Sequence, residues 1–238
     1  MDAMSDVLVS VQNLTKDYQA LRPLRLRSLE LRRGAIVSLT GLDAAAAEVV
    51  VGLLTGAVLP DQGEVHLFGK STADVADSDA WLAMLDQVGI VTDRAVLIAQ
   101  FSVEQNIAMP FTLQVDPVGE EVRPRVGQLA TEVGLSQADL QQQVAQCAPD
   151  VLARARLARA LALDPLLLLV EHPSASLPRT AVEGLASQIA RIARARNMAV
   201  LALTADPVFA GALGGETLLH EPATGAFKPQ SVWRKIFG

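Results

Sequence analysis

Three runs of apolar residues constrain this chain most: "AIVSLTG" (Ala35–Gly41), "LLLLVEHP" (Leu166–Pro173) and "MAVLALTAD" (Met198–Asp206). Each is nearly continuous in aliphatic side chains, the pattern of a strand buried on both faces. The second and third runs each follow a helical pattern. These patterns are "LARARLARALAL" (Leu152–Leu163), halted by Asp164-Pro165, and the amphipathic "TAVEGLASQIARIARARN" (Thr180–Asn197), whose late arginines suit a helix C-terminus. Strands alternating with helices predict an α/β fold with a mostly parallel sheet flanked by helices. At 238 residues and 50% hydrophobic, the chain is long enough for one such domain with a full core.

Shorter signals fill in the rest. "VLVSVQNL" (Val7–Leu14) and "LRLRSLEL" (Leu24–Leu31) alternate apolar and polar residues, and "GEVHLFG" (Gly63–Gly69) is a short strand, so a small antiparallel part is expected. "GLDAAAAEVVVGLLTG" (Gly41–Gly56) turns from strand to helix, with Asp43 as the helix cap. "WLAMLDQVG" has helical spacing and leads into the strand "VGIVT". From about Ala95 to Ala153 helical patterns dominate, with Pro110, Pro117, Pro124 and Pro149 as breaks, which reads as a helical insertion. We therefore expect residues 1–238 to form a single domain with a helical subdomain over about 95–153.

Charge and composition exclude several functions. The net charge of -6 argues against non-specific nucleic-acid binding. The single cysteine, Cys147, allows no internal disulfide, and His66, His172 and His220 show no metal-ligand spacing. The N-terminus has no basic region followed by an apolar stretch, and no apolar run reaches bilayer-spanning length. A soluble protein is expected, with any membrane role supplied by a partner.

The order of the pieces resembles the nucleotide-binding subunit of ABC transporters over nearly the whole length. "NLTKDY" (Asn13–Tyr18), "LPDQGEVHLFGK" (Leu59–Lys70), "FSVEQNIAMPF" (Phe101–Phe111) and, most specifically, "LARALALDPLLLLVEHPSASL" (Leu157–Leu177) carry the likeness. The resemblance implies a P-loop NTPase fold, a transmembrane permease partner, a second ATP-binding subunit in a homo- or heterodimer, and a cytoplasmic position on the inner face of the cell membrane held through those partners.

The motifs that carry the family's chemistry are altered. A phosphate loop G-x-x-x-x-G-K-[ST] wraps phosphates in backbone N–H groups, neutralises them with Lys and holds Mg²⁺ through its hydroxyl. Here the frame begins at Gly41, but the later Gly position is Ala46, the Lys position is Ala47 and the hydroxyl position is Glu48; Asp43 lies inside the loop. A carboxylate about 4 Å from a phosphate charge costs about 4 kcal/mol at an effective dielectric of about 20. Asp43 and Glu48 would both draw on the positive field at the helix N-terminus.

The strand-end pair that holds Mg²⁺ and activates water becomes Glu171 and His172, and the γ-phosphate-sensing Gln becomes Asp93. The signature loop becomes Cys147, Ala148, Pro149, Asp150 and Val151, in which Pro149 has no N–H to donate. The switch His becomes Ala205 and the D-loop Asp becomes Pro178. The resemblance thus implies a degenerate site with no catalytic residue in working order, no resident cofactor or metal, and at most weak ATP or ADP binding. A structural or regulatory role in a transport complex follows. A divergent ATPase using Glu171 or His172, and a stand-alone interaction protein, are the alternatives.

Other residues have plainer readings beside the sharper ones. Tyr18 either stacks on adenine or packs at a strand edge. His172 is a base or a structural or solvated side chain, and Cys147 a nucleophile or a small buried thiol. Arg154, Arg156 and Arg159 read as a solvated helix face, although Arg154 also matches the family's arginine after the signature, which is usually structural. In the family, the region of "FSVEQNIAMPF" lies near the groove that receives the permease, so Phe101, Met109 and Phe111 are expected near a docking surface. The C-terminal "SVWRKIFG", with Trp233, Ile236 and Phe237 among Arg234 and Lys235, reads as a docking segment or a lipid contact.

Overall fold

The computed structural model describes residues 6–75 and 77–230; the C-terminal "SVWRKIFG" lies outside the described residues. Two sheets organise the chain. The first is antiparallel: β1 (Val7–Lys16) pairs with β2 (Leu24–Arg32) on one side and β4 (Gln62–Leu67) on the other, and β5 (Lys70–Ser71) completes the edge. In β2, Leu24, Leu26, Leu29 and Leu31 point inward while the intervening residues are exposed. That alternation is what a sheet with one wet face requires.

The second sheet runs β10 (Ala226–Pro229), β9 (Glu216–Glu221), β3 (Ile36–Thr40), β8 (Ala199–Leu203), β7 (Leu167–Glu171), β6 (Val88–Val91). Every pair in it is parallel except β10 with β9. All five residues of β7 and of β8 are buried. Their side chains alternate between two cores. Leu167, Leu169, Leu201 and Leu203 join the core shared with the antiparallel sheet. Leu168, Val170, Val200 and Ala202 join the core under the helical part. A strand covered on both faces needs an aliphatic residue at every position, which explains the continuous runs.

Helix α1 (Ala44–Leu54) follows β3, with Asp43 as its N-cap. Its alanines are strong helix formers, and it stops where Thr55 Oγ1 turns back to Val51 O at 2.8 Å. Helix α2 (Ser78–Leu85) precedes β6. After β6 come α3 (Val103–Ala108), α4 (Arg123–Val133), α5 (Gln137–Gln141) and a short 3-10 turn (Val144–Gln146). Helix α6 (Pro149–Ala160) then leads back to β7, followed by α7 (Arg179–Arg196) and α8 (Pro207–Leu213), each ending in a strand of the sheet.

The structure corrects three details. Pro124 and Pro149 open helices α4 and α6 rather than break them, since the first helical turn needs no proline N–H. Helix α6 consequently begins and ends three residues earlier than the pattern Leu152–Leu163 indicates. The carbonyls just past its end have side-chain partners: Arg196 Nη1 donates to Leu161 O at 3.2 Å and Arg125 Nη2 to Ala162 O at 3.0 Å. Finally, Arg154, Arg156 and Arg159 are not a solvated face. Each is half-buried and donates to backbone oxygens of another segment, those of Val133, Ala95 and Val96 respectively. A close approach lets α6 sit on β6: a Cβ on Gly89 would come 2.5 Å from Ala160 O.

Candidate functional site

The motif positions converge because four parallel strands end on one edge of the sheet. Gly41 follows β3, Thr92–Arg94 follow β6, Glu171 closes β7 and Ala205 follows β8. The loops beyond strand carboxyl ends are where open α/β sheets place their ligands.

Gly41 turns the chain with φ +84°, and a Cβ there would meet His220 O at 2.9 Å, so a side chain cannot be accommodated. The next turn of the loop is closed by the protein itself. Asp43 Oδ1 accepts the Ala46 N–H at 2.8 Å, and Asp43 O accepts the Ala47 N–H at 2.9 Å. Ala46 and Ala47 are buried, with their methyl groups in the core shared with the antiparallel sheet. Only Asp43 reaches the N-terminus of α1. Glu48, expected there too, lies a turn further along and faces away toward Arg94.

Arg94 is the residue that sequence reasoning missed. Its Nη1 binds Glu48 and its Nη2 binds Glu171 Oε2 at 2.5 Å, so one guanidinium bridges α1 and the end of β7. Glu171 is 7% exposed, whereas Arg94 and Glu48 are about half exposed. A buried carboxylate at a strand end demands a cation, and that demand was the available signal. Asp93 faces the other way, pairing with Arg156 Nη1 on α6 at 3.0 Å.

His172 follows Glu171 with φ +41° and donates its N–H to Leu203 O at 2.8 Å. Its Nε2 is buried and has no hydrogen-bond partner among the described residues. Ala205 lines a cavity of about 700 Å³ with Thr40, Gly41 and Pro207. Beside it Asp206 caps α8, with Oδ1 accepting from Val208 N at 2.9 Å and Oδ2 from Arg179 Nη1 at 2.8 Å.

Tyr18 is half-buried against the antiparallel core and borders two open cavities. One, about 790 Å³, is shared with Gly41, Asp43 and Ala46; the other, about 720 Å³, with Glu48 and Arg94. Burial, and then the Asp43 carboxylate, push its phenol above the usual range. The packing reading of Tyr18 thus describes one side of the ring, and its other side borders open space.

The signature-equivalent residues sit at the start of α6. Ala148 is the N-cap and offers no side-chain acceptor, Pro149 is the first helical residue, and Asp150 lies in the first turn; Val151 is half-buried. Cys147 Sγ donates to Gln143 O at 3.3 Å, and burial followed by the Asp139 charge raises its thiol. Phe101, Met109 and Phe111 are half-buried against the core of the helical part, and Arg125 stacks over the Phe111 ring at 5.1 Å. Near them a cavity of about 290 Å³ is lined by Ala95, Pro110, Arg156 and Arg159, among others. Val96 and Leu113 stand out from this region, 74% and 95% exposed.

Among solved structures, the chain superposes with a TM-score of 0.75 on the dimeric structure of a bacterial ABC transporter cassette, at 22% identity, covering 89% of this chain and 94% of that one. The fold is that of an ABC ATP-binding cassette. A dimeric, post-hydrolysis ATP-binding cassette bound to ADP and Pi gives a TM-score of 0.77 at 21% identity, covering 93% of this chain and 98% of that one. No family model matches the chain. Its sequence relatives are ATP-binding proteins of transport systems. The lipoprotein-releasing system ATP-binding protein LolD of Acinetobacter baylyi is 25% identical, over 91% of this cassette and 96% of its own length. The phosphonates import ATP-binding protein PhnC of Anaeromyxobacter dehalogenans is 27% identical, over 85% of the cassette and 42% of its own length.

Among the described residues, no helix of the cassette is long and apolar enough to cross a membrane, and no group of three or more His, Cys, Asp or Glu gathers as a metal cage.

Proposed function

We propose that this cassette is the ATP-binding-type subunit of an ABC transport complex and serves there as a structural or regulatory partner, not as a working ATPase. The observation that carries the reading is the Asp43 carboxylate seated on the N-terminus of α1, bonded to Ala46 N. A helix N-terminus attracts an anion through free N–H groups and a positive field. Asp43 is already such an anion, covalently attached.

The surrounding groups favour the same reading. Ala47, its methyl buried in the core, supplies no cation where a phosphate needs one, and the positions expected to hold Mg²⁺ are carboxylates already joined by Arg94. A magnesium triphosphate does not fit this donor set. The buried Nε2 of His172 is also poorly placed to take a proton from water. On this reading the partners are a permease and a second ATP-binding subunit, the same chain or a homologue, at the inner face of the membrane. The face around Val96, Leu113 and the cavity beside Pro110 is the docking surface, with Phe101, Met109 and Phe111 supporting it from below.

Isothermal titration of the full chain with MgATP tests the reading. The expected outcome is no saturable heat below millimolar ligand and no phosphate release by the chain alone. Micromolar affinity with turnover would replace it with the divergent ATPase.

A further inference from the structure

We propose that Asp93 and Arg94 form an ionic latch that fixes the helical part of the cassette against its sheet without any bound ligand. The proposal rests on the reading above that this site does not engage MgATP in the ordinary way, and it adds what occupies the site instead.

The latch is built from four consecutive residues on the segment that leaves β6 for α3. Arg94 reaches into the sheet edge and binds two carboxylates from different elements, Glu48 of α1 and Glu171 of β7. Asp93 reaches in the opposite direction and binds Arg156 of α6 at 3.0 Å. The next two residues are held by their backbones: Ala95 O accepts from Arg156 Nε at 3.3 Å, and Val96 O accepts from Arg159 Nη1 at 2.7 Å. The chain enters the helical part through this segment and returns through α6. Tying the two together, and tying both to β7 and α1, leaves the helical part little freedom to turn against the sheet.

Glu48 and Glu171 stand at the two positions where the resemblance expects the hydroxyl and the carboxylate that hold Mg²⁺. A guanidinium is planar, stays charged at all ordinary pH values and presents parallel N–H groups to carboxylates. It is also part of the chain, so it cannot diffuse away and does not depend on nucleotide. A link made by an exchangeable ion and its ligand would hold only while they are bound; this one needs no bound ligand.

Hydrogen–deuterium exchange of the full-length chain tests the latch, comparing wild type with Arg94→Ala and Arg94→Lys and reading peptides over residues 92–99 and 148–156. With Arg94→Ala, exchange in both stretches should rise about fivefold or more while β8 keeps its protection; Arg94→Lys should restore part of it. Millimolar MgATP should leave the wild-type pattern unchanged. Unchanged exchange over 92–99 in Arg94→Ala overturns the latch. If Arg94→Ala does not fold, Glu48→Gln, which leaves the Glu171 pair in place, should raise exchange over 92–99 by about twofold; no rise there overturns it equally. The two proposals fail separately. Saturable MgATP binding by a wild type whose Arg94→Ala variant loosens removes the pseudo-ATPase reading and keeps the latch. No binding with unchanged exchange does the reverse.

Discussion

The interior of the parallel sheet and the loops along its carboxyl edge are held by different forces. Strands β7 and β8 are wholly buried and aliphatic except for Glu171 at the end of β7, and each side chain drops into one of two cores. The edge is held by single bonds between charged or capping groups: Asp43 to Ala46 N, Arg94 to Glu48 and Glu171, Asp206 to Val208 N and Arg179. Burial is distributed and cooperative, whereas a capping bond or an ion pair can be exchanged for another one residue at a time. The comparison teaches why a chain can keep the cassette fold at 21 to 22% identity to two solved cassettes: distributed burial tolerates sequence change as long as the interior stays aliphatic. Fold stability resides where the edge chemistry does not.

That contrast can be broken by measurement. Leu201, fully buried in the middle of β8, should lose about 2–5 kcal/mol of unfolding free energy on truncation to Ala. Chemical denaturation with an unchanged m-value checks it; a loss under about 1 kcal/mol would mean the sheet interior is not the seat of stability. At the edge, Asp43→Ala removes only a cap and should cost about 1 kcal/mol. The same titration measures it, and a cost equal to that of Leu201→Ala would erase the difference between the two regions.

How much of this was legible beforehand follows the same line. The strands with continuous aliphatic runs, β3, β7 and β8, are plain in the sequence because burial on both faces leaves one composition. Strand β9, "ETLLHE", mixes exposed and buried residues near the sheet's end and gives no such pattern. The Asp43 cap was legible because its partner lies three residues away. The Arg94 bridge was not, because its partners lie 46 and 77 residues away and no local periodicity reports them. The same distance hid the roles of Arg156 and Arg159, which look solvated on a helical wheel until the segment from β6 is laid across them.

The smallest expected effect belongs to Asp206, and its sign separates an edge bond from interior packing. Burial by itself would raise this carboxyl. The Val208 N–H, Arg179, Ser174 and the Phe209 N–H together more than offset that, so its folded pKa lies below its unfolded one. A carboxyl lowered by folding adds stability above its ordinary value, about 3.9, and loses it as pH falls through the folded value. Asp206→Asn keeps an acceptor for the α8 cap but removes the titration and the Arg179 pair. At neutral pH the variant should be less stable by up to about 1 kcal/mol, since Arg179 is largely exposed. Below the folded pKa the two proteins should unfold alike. Denaturation curves at stepped pH would show the gap closing on acidification. A gap that stays constant to low pH would mean that the Asn disturbs packing, and Asp206 would then belong with Leu201 and not with Asp43 or Arg94.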